Sequence, residues 1–480
     1  MNPSYEVVIG LEVHAQLLTN SKLFCGDPIA FGASPNTQVS AVSLAHPGTL
    51  PVMNEEVLHL AVKLGLALHC NITQHNYFAR KNYFYPDLPK GYQVSQDTAP
   101  ICKGGYLDIK TGSTESRVVL NRIHMEEDAG KSIHDLHENY SCIDLNRAGT
   151  PLLEIVTEPC MHSAEEAFQF LTELRKLVRW INVCDGNMEE GSMRCDANIS
   201  IRPKGETKLG TRVEVKNLNS IRHVKKAIEV EVERLIGMAE NGEKILQQTR
   251  SFDADKGNTF ALRSKEEAND YRYFPEPDLP AFFLSDVFID EVKASLPVLP
   301  EALKEQYKSN FGLSDYDAGV ICGDKEDAEF YEILIRNQPH YKAAANWMLG
   351  PVKAWCNEHN IGIKDFPLKP ELLSTLIAFT ETGQVSFNIA STRLLTALMQ
   401  QPGADPAALA AELNLLQEND SSSIEAWVTE ALSTMPDKIK EYQSGKKGLL
   451  GLFAGQVKKL SKGKADMQQV NTILEKFLNQ

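Results

Sequence analysis

The stretch YEVVIGLEVHAQ, residues 5–16, decides the fold class of this 480-residue chain. Apolar and polar side chains alternate along it, which indicates a half-buried β-strand, because successive side chains of a strand point to opposite faces. The apolar face carries Tyr5, Val7, Ile9 and Leu11, and the other face carries Glu12, His14 and Gln16. We therefore predict a strand with one buried face and one face of functional groups.

Two later stretches, RCDANISIRP (194–203) and TRVEVKN (211–217), show the same alternation. Their polar faces are Arg194, Asp196, Asn198, Ser200 and Arg202 in the first and Arg212, Glu214 and Lys216 in the second. Simple polar groups suffice on a face that only meets water. Bulky groups of both charges on three strands therefore predict a cleft lined by these side chains.

Helical patterns interrupt the strands at two places. Ser163 and Glu166 form the S-x-x-E pattern of a capping box, and apolar residues follow at helical spacing as far as Val178. A second apolar stripe of helical period begins near Asn219. Strands interleaved with only two helices predict an antiparallel α+β domain rather than a doubly wound parallel sheet.

Proline clusters mark the domain boundaries, because proline continues neither a helix nor a central strand. YFPEPDLPAF (273–282) and ASLPVLPEALK (294–304) contain such clusters, and QPGADPAALAAEL (401–413) interrupts the helical pattern that follows. We predict a strand-rich domain at 1–293, an all-α helical domain at 294–405 and a small α-helical tail domain at 406–480.

The chain is acidic as a whole and basic at one end. Its net charge of −15 argues against a general nucleic-acid binder. Between Lys438 and Gln480, nine lysines outnumber three acidic residues, so this segment carries +6. A basic tail on an acidic body predicts a polyanionic partner at one end only.

The composition also predicts the compartment. The nine cysteines include no C-x-x-C pair, which favours reduced thiols in a cytosolic protein. No apolar run approaches the ~20 residues of a membrane helix, and no basic-then-apolar leader is visible. We predict a cytoplasmic protein without membrane contact.

The stretch NRIHMEEDAGKS, residues 121–132, ends in the Gly-Lys-Ser of a nucleotide-binding P-loop. That loop needs a glycine five residues before Gly130, because bare backbone N–H groups must wrap the phosphates, and Met125 stands there instead. ATP, if used, is held in another way. The adjacent acids Glu126, Glu127 and Asp128 are either metal ligands or a solvated turn.

Further carboxylates lie on predicted strand faces: Glu12 beside His14, Glu154 and Glu158 in LLEIVTEP (152–159), Asp196, and Glu214. Together with residues 126–128 they predict an acidic cluster that holds Mg²⁺, which prefers oxygen ligands, or Mn²⁺, which accepts histidine more readily. The alternative for each acid is a pairing with a surface lysine or arginine.

The stretch FARKNYFYPDLPKGYQVSQ, residues 78–96, mixes Arg80, Lys81 and Lys90 with tyrosines and phenylalanines. Cations between aromatic rings suit a phosphate and a stacked base. A buried aromatic loop with surface lysines fits the composition equally well.

Several long stretches, in this order, closely resemble the B-subunit family of the aspartyl/glutamyl-tRNA amidotransferases. Those between residues 9 and 280 are IGLEVHAQL, RKNYFYPDLPKGYQ, HMEEDAGKS, DLNRAGTPLLEIVTEP, MEEGSMRCDANISIRP, EVKNLNS and DYRYFPEPDLP. The later ANWMLG, FNIASTRLL and GQVKKLSKGKADMQQVN resemble the helical and tail domains of that family. The resemblance covers nearly the whole chain.

This resemblance implies an activity and a fold. Family members amidate Glu-tRNA(Gln), Asp-tRNA(Asn) or both: ATP phosphorylates the side-chain carboxylate, and ammonia then displaces the phosphate. Their first domain is an antiparallel-sheet cradle similar to glutamine synthetase and the guanidino kinases. The implied cofactors are ATP and Mg²⁺, with Mn²⁺ as the alternative metal.

The resemblance also implies roles for residues. The implied metal ligands are Glu12, His14, Glu127 and Glu154, with Asp196 as a weaker candidate. The implied catalytic residues are Lys216, Asp196 and Glu126, and the implied phosphate or substrate contacts are Lys216, Lys81 and Tyr83. Simple alternation conflicts with one of these roles, because it places His124 and Glu126 on one strand face and Glu127 on the other. A bulge or the end of the strand would reconcile them.

One segment departs from the family pattern. Many relatives carry a zinc site of the form C-x-C…C-x-x-C after the first strand. Here only Cys25 remains, and Asp27, Ser40 and Ser43 occupy the other positions. Structural zinc is held by four cysteine or histidine ligands in most sites, so we predict no structural zinc.

The implied partners follow from a missing nucleophile. The sequence has no amidase-type Gly-Ser-Ser-Gly segment, and NDSSSIE (419–425) lacks the glycines. In the family, a separate amidase (A) chain supplies ammonia through a channel, and a small third chain (C) links the two in a heterotrimer. Misacylated tRNA is the remaining implied partner, and its predicted contacts in the tail are Lys458, Lys459, Lys462 and Lys464.

Two other classes of function remain open. One is a non-catalytic scaffold that holds tRNA and whose acidic cluster is structural. The other is a free-standing carboxylate–amine ligase acting on a small metabolite. The basic tail argues against the latter, because such an enzyme needs no polyanion-binding arm.

Overall fold

The structure is a computed structural model that describes residues 4–264, 271–417 and 421–479. The described chain divides into two compact units, Met1–Leu299 and Pro300–Gln480. This division falls a few residues after the predicted boundary at 293/294, and the further boundary at 405/406 stays a prediction. Asp270 of DYRYFPEPDLP and the first two residues of NDSSSIE lie outside the described residues.

The first unit is rich in strands. They are β1 (Tyr5–Gln16), β2 (Asn71–Ile72), β3 (His75–Asn76), β4 (Ala79–Asn82), β5 (Tyr92–Ser95), β6 (Cys102–Lys103), β7 (Tyr106–Thr111), β8 (Thr114–Glu127), β9 (Lys131–Ile133), β10 (Cys142–Asp144), β11 (Pro151–Thr157), β12 (Met193–Pro203), β13 (Val213–Leu218), β14 (Gln248–Asp253), β15 (Asn258–Ser264), β16 (Phe274–Pro275) and β17 (Phe282–Phe283).

In the described part of the chain, ten of these strands form one sheet. Its order is β15-β14-β13-β12-β1-β11-β8-β6-β2, with β7 paired to β8. The pairs are antiparallel apart from β13 and β14, which run parallel. The smaller sheets are β9 with β10, β16 with β4 and β5, and β17 with β3. The predicted α+β class with an antiparallel-rich sheet is confirmed, and the likeness to glutamine synthetase and guanidino kinases stays a prediction.

The helices of this unit include both predicted ones. They are α1 (Glu55–Ala67), α2 (Ala164–Trp180), α3 (Ile221–Glu240) and α4 (Asp286–Ala294). Ser163 caps α2 by accepting from the N–H of Glu166, as the capping-box pattern predicted. The expectation of only two helices was wrong, because α1 and α4 also form. Helix α1 had a recognisable sequence signal: the Asn54 side chain accepts from the N–H of Glu56 at the start of the helix, and buried aliphatic residues follow it.

The helices α2 and α3 cover the apolar side of the large sheet. They pack against each other, α2 also packs against β7, and α3 packs against β12, β13 and β15. Their apolar stripes are buried, as are Val7, Ile9, Leu11 and Val13 of β1. Because this layer takes the apolar face, the opposite face of the central strands is left to the polar side chains.

The segment that ends in Gly-Lys-Ser does not form a P-loop. Strand β9 begins at Lys131, where a P-loop would begin a helix. The N–H of Gly130 donates to the carbonyl of Asp87 at 2.8 Å. A Cβ at Gly130 would lie 2.9 Å from that carbonyl oxygen and 2.9 Å from the one of Asp144, so the glycine serves close packing here.

Asp128, directly after β8, is the buried centre of an ion-pair network. Its Oδ2 accepts from Arg194 Nη2 at 2.9 Å and from Gln16 Nε2 at 2.8 Å, and Arg147 Nε lies 3.7 Å away. Burial opposes ionisation of this carboxyl, but the two arginines prevail and lower the pKa of Asp128. The network ties the end of β8 to β1 and β12.

Replacing Asp128 by asparagine is expected to lower the free energy of unfolding by about 3 kcal/mol at pH 7, because it removes the buried carboxylate that pairs with the half-buried Arg194 and Arg147. The folded-state pKa is lowered, so the stabilisation is present above the unfolded carboxyl pKa and is lost as pH falls through the folded value. Urea denaturation at pH 7 and in acid measures both effects.

The control for this variant is Asp108→Asn. Asp108 pairs with Arg117 at 2.7 Å, but both side chains are more than half exposed. Such surface pairs contribute only ~0–1 kcal/mol. Equal losses in the two variants at pH 7 would contradict the buried-network account.

The second unit is helical. Its α-helices are α5 (Pro300–Phe311), α6 (Asp315–Ile321), α7 (Lys325–Ile335), α8 (Tyr341–Trp347), α9 (Lys353–His359), α10 (Pro370–Glu381), α11 (Phe387–Ile389), α12 (Leu395–Gln400), α13 (Pro406–Glu412), α14 (Ser421–Ser433), α15 (Pro436–Gln443), α16 (Leu450–Leu460) and α17 (Met467–Leu478). Short 3₁₀ turns lie at Ile363–Asp365 and Lys447–Leu449, and π-helical turns lie at Met348–Val352 and Ala390–Leu394.

The last four helices enclose a hydrophobic core that includes Ile424, Val428, Phe453, Val457, Val470 and Leu474. Within the described ranges, no helix is both long enough and apolar enough to cross a membrane.

Candidate functional site

The strand register assembles the polar face at the middle of the large sheet. His14 on β1 pairs with Glu154 on β11, and Glu154 pairs in turn with His124 on β8. Directly paired residues of antiparallel strands project from the same face. These three side chains therefore form a row across three strands, and Glu126 lies two residues farther along β8 on the same face.

His14, Glu126 and Glu154 form a first candidate metal site, which we call the histidine group. His14 Nε2 lies 3.7 Å from Glu126 Oε1 and 3.3 Å from Glu154 Oε2. One ligand atom from each of the three residues lies within 4.8 Å of the other two. Both glutamates are buried, so their charges are poorly screened by water.

The electrostatics of the histidine group favour bound positive charge. Burial alone would raise the pKa of Glu154, but the hydrogen bond and positive charge of His14, together with the charge of Lys81, lower it below its usual value. Burial opposes protonation of His14, yet Glu154 and Glu126 raise the pKa of His14 to about 9. Two carboxylates at one imidazole attract either a proton on that ring or a metal ion.

Glu12, Asp196 and Glu214 form a second candidate site, the carboxylate group. Glu12 pairs with Asp196 in the register of β1 and β12, and ligand atoms of the three acids lie within 4.8 Å of one another. Lys216 Nζ lies 2.7 Å from Asp196 Oδ2 and 3.0 Å from Glu214 Oε1. The ammonium group therefore already supplies positive charge here, and a divalent ion would compete with it or displace it.

Asn198 leaves an oxygen available beside the carboxylate group. Its Nδ2 donates to Glu12 Oε1 at 2.8 Å, which fixes the orientation of the amide. Its Oδ1 is buried and has no hydrogen-bond partner among the described residues. Buried polar atoms are normally satisfied, so this oxygen suits a cation or a water bound to one. The possible metal ligands in and beside the two groups are carboxylate oxygens, the amide oxygen of Asn198 and the imidazole of His14. These ligand types fit Mg²⁺ and Mn²⁺.

The structure does not bring Glu127 to these candidate ligands. Its Oε1 accepts from the N–H of Val94 at 2.8 Å and forms an ion pair with Lys90. The pairing of β8 with β11 is regular at Glu126 and Glu127, and its irregularity lies at Val156/Thr157 instead. No bulge therefore moves the Glu127 side chain to the polar face of β8. The regular alternation of the strand places Glu126 on that face, beside His14.

Glu127 lines a separate cavity of about 260 Å³ in the first unit, together with Asp128, Lys22 and Lys90. Glu158 also lies away from the histidine group. Strand β11 ends at Thr157, and Glu158 Oε1 accepts from Asn121 Nδ2 at 2.7 Å.

Lys81 lies on β4, in the small sheet beside the histidine group. Its Nζ lies 5.9 Å from the ring centroid of Tyr83 and 5.1 Å from that of Tyr271. Burial would lower the pKa of Lys81, but Glu126 and Glu154 contribute to a net increase. The hydroxyl of Tyr83 donates to Gln93 Oε1 at 3.3 Å, and burial raises its pKa. A charged lysine between aromatic rings can contact an anionic substrate.

The four positions of the family's zinc pattern lie together. Asp27 Oδ2 accepts from the N–H of Ser40 at 2.8 Å and from the hydroxyl of Ser43. Burial would raise the pKa of Asp27, but hydrogen bonds from Ser43, Ser40 and Cys25 lower it. A hydrogen-bonded carboxylate thus joins these residues, and the absence of structural zinc stays a prediction.

The predicted tRNA contacts lie at the end of α16 and in the loop after it. Lys458, Lys459 and Lys462 are exposed, and Lys464 Nζ donates to Asn414 Oδ1 at 2.9 Å. Three of the four ammonium groups are therefore presented to solvent.

Sequence reasoning assigned no role to His124 or Asn198, although both lie on the polar face. The signal was present in the alternation: His124 precedes Glu126 by two residues, and Asn198 follows Asp196 by two. What the sequence lacked was the cross-strand register that places them against Glu154 and Glu12.

Comparison with known proteins identifies two matching family models. The GatB/GatE catalytic domain matches residues 7–290, and the GatB domain matches residues 329–478. A similar curated protein is the B subunit of the aspartyl/glutamyl-tRNA(Asn/Gln) amidotransferase of Geotalea uraniireducens, 49% identical over 478 residues and 99% of each chain. Proteins of the same name from Alkalilimnicola ehrlichii (48%, 99% of each chain) and Syntrophotalea carbinolica (46%, 100% of this chain and 99% of the other) are also similar.

Proposed function

Because this chain belongs to the GatB family of aspartyl/glutamyl-tRNA(Asn/Gln) amidotransferases, we propose that it carries the ATP-dependent amidation site of such an enzyme. Its substrates are Glu-tRNA(Gln), Asp-tRNA(Asn) or both, and its products are the corresponding Gln-tRNA and Asn-tRNA. The observation that carries this proposal is the convergence of the histidine group and the carboxylate group on one polar sheet face.

The chemistry requires activation before amidation. A side-chain carboxylate is a poor electrophile, because it is anionic and has no good leaving group. Transfer of the γ-phosphoryl group of ATP to a carboxylate oxygen gives an acyl phosphate and ADP. Ammonia then attacks the acyl carbon, phosphate leaves, and the amide loses a proton. Such phosphoryl transfer depends on positioning and on electrostatic stabilisation.

The histidine group is the proposed primary metal site, with His14, Glu126 and Glu154 as ligands. Bound Mg²⁺ or Mn²⁺ would neutralise the charge that the phosphate and the substrate carboxylate bring together. The family resemblance favoured Glu127 as the ligand, but the contacts described above support Glu126. Glu12, Asp196 and Glu214, with Asn198 beside them, are the proposed secondary site.

Two lysines are the proposed contacts for the phosphate and the substrate. Lys216 lies against the carboxylate group, where its ammonium can pass from Asp196 to an incoming phosphoryl oxygen. Lys81 lies between Tyr83 and Tyr271, close enough for Glu126 to raise its pKa. The ammonium groups attract anions, and the rings of the tyrosines limit access of water.

Ammonia must come from a partner in this proposal. We propose that a glutamine-hydrolysing amidase (A) chain supplies it and that a small third chain (C) completes a cytoplasmic heterotrimer. The alternative is a non-catalytic scaffold that only holds tRNA within the same complex.

The test is reconstitution with the amidase chain and the small third chain, with each misacylated tRNA supplied in turn. Release of ADP that requires Glu-tRNA(Gln) or Asp-tRNA(Asn), with formation of the matching amide, is the expected result. Ammonium chloride in place of glutamine removes the dependence on the amidase. Amidation that needs neither ATP nor a divalent metal would refute the proposal.

The tail lysines give a separate prediction about tRNA. Replacing both Lys458 and Lys459 by glutamine is expected to weaken tRNA binding and to reduce the slope of log K against log salt by about 1–2, because each phosphate contact releases counterions. Filter binding or fluorescence anisotropy over a range of potassium chloride concentrations measures both quantities.

The matched control is the double variant Lys438→Gln, Lys446→Gln. Both of these lysines pair with Glu441, so part of their combined charge is already compensated. The control is expected to change the slope less. An unchanged slope in the Lys458, Lys459 variant would remove the proposed tRNA role of these residues.

A further inference from the structure

His124 is a buried side chain for which the proposed chemistry has no role so far. It lies on β8 between Arg122 and Glu126, and the three side chains share one face of the strand. His124 is 4% exposed. Its Nε2 lies 3.6 Å from Glu126 Oε2 and 3.5 Å from Glu154 Oε2, so one ring nitrogen faces both glutamates of the histidine group.

The opposite ring nitrogen has a different partner. Arg122 Nε donates a hydrogen bond to His124 Nδ1 at 3.4 Å. A guanidinium group only donates, so Nδ1 must offer its lone pair. In a neutral imidazole the proton then resides on Nε2, which points at the two carboxylates. Arg122 therefore selects the tautomer of His124 through the hydrogen bond that it makes.

We propose that His124 is a positioning residue whose Nε2–H attracts Glu126 and Glu154 at 3.6 and 3.5 Å and so orients them, and that Arg122 fixes this tautomer. This inference rests on the proposed metal site at the histidine group. Glu126 divides its oxygens between the two histidines: Oε1 lies toward His14 and Oε2 lies toward His124. With Oε2 directed toward His124, the Oε1 atom of Glu126 stays directed toward His14, where it can bind the metal.

The same hydrogen bond disfavours His124 as a metal ligand, because ligation through Nε2 would move the ring proton to Nδ1 and break the bond from Arg122. Ligation through Nε2 requires the lone pair of that nitrogen, and the Nε2–H tautomer has none there. His14 has the same two glutamates within reach and remains the imidazole ligand. Partners that orient ligating carboxylates typically change metal affinity about 10–100-fold when they are replaced.

The experiment measures Mn²⁺ binding directly, by electron paramagnetic resonance of the full chain in complex with its partner chains and without ATP or tRNA. Thermal melting of each variant is recorded in parallel. His124→Phe removes the donor, whereas His124→Gln places an amide N–H close to the position of Nε2. We expect about tenfold weaker binding for His124→Phe and substantial recovery for His124→Gln.

Arg122→Met tests the tautomer. We expect weaker Mn²⁺ binding in this variant, and we expect the double variant with His124→Phe to bind no more weakly than His124→Phe alone, because Arg122 acts through His124. Arg117→Met is the matched control on the same strand. Arg117 pairs with Asp108 away from the histidine group and is expected to leave Mn²⁺ affinity unchanged.

The outcomes separate this inference from the proposed function. Absence of Mn²⁺ binding by the wild-type complex would refute the metal site itself. Wild-type binding that persists unchanged in His124→Phe would overturn the positioning role alone. Equal losses in His124→Gln and His124→Phe would overturn the donor role, and additive losses in the double variant would overturn the tautomer role of Arg122. If His124→Phe fails to fold, the inference is tested with His124→Gln and Arg122→Met. Wild-type Mn²⁺ affinity in Arg122→Met would then overturn it.

Discussion

Replacing Glu154 by glutamine is expected to reduce tRNA-dependent ATP hydrolysis and amidation by the assembled enzyme about a hundredfold or more. Glutamine keeps the shape of the side chain and removes its charge. Glu154 lies between His14 and His124, 3.3 Å and 3.5 Å from their Nε2 atoms, so the loss leaves the histidine group with one carboxylate. ADP release by the complex with saturating misacylated tRNA measures the effect.

Glu158→Gln is the matched control, because Glu158 lies four residues away and contacts Asn121 rather than the histidine group. It is expected to retain activity near that of the wild type. Measuring tRNA affinity for both variants separates catalysis from scaffolding. Full activity in Glu154→Gln would show that the catalytic site does not lie on this face of the sheet, and it would favour the scaffold alternative.

The second large effect is expected in metal binding, where Glu126 and Glu127 should behave differently. Glu126→Gln removes a proposed ligand and is expected to weaken Mn²⁺ binding more than about a hundredfold, since loss of an outer partner alone costs about 10–100-fold. Glu127→Gln alters the ion pair with Lys90 on the other side of β8 and is expected to change Mn²⁺ affinity only slightly.

This pair of variants tests the strand geometry, because the two glutamates are adjacent and chemically identical. Electron paramagnetic resonance with Mn²⁺ reports on binding without requiring turnover, so any separate role of Glu127 in activity does not obscure the result. A large loss in Glu127→Gln together with wild-type affinity in Glu126→Gln would show that the histidine group is assigned to the wrong glutamate.

Local pattern was sufficient for several elements of this protein. The alternation in residues 5–16 predicted β1 and the face that carries Glu12 and His14, and the structure has that strand at Tyr5–Gln16. The capping box at Ser163 located the start of α2. These predictions succeed because side-chain periodicity and helix capping depend on neighbouring residues alone.

The positions of Glu126 and Glu127 show what the period of a strand adds to family resemblance. Family similarity favoured Glu127, whereas the period of the strand placed Glu126 beside His124, and the structure has Glu126 there. Helix α1 was missed although Asn54 and the aliphatic residues after it carried an ordinary helix signal. The strand face of Glu126 and the presence of α1 both follow from local physics, whereas the choice of the metal-binding glutamate stays a proposal.

The sequence by itself determined which side chains share a strand face and which segments form helices, because both follow from fixed backbone periods. Only the tertiary structure decided which strands are neighbours, and hence that His14, Glu154 and His124 lie in one row while Glu158 does not. This row depends on pairing between segments distant in the chain, since His124 and Glu154 are 30 positions apart and His14 and Glu154 are 140 apart, and no local period specifies that pairing.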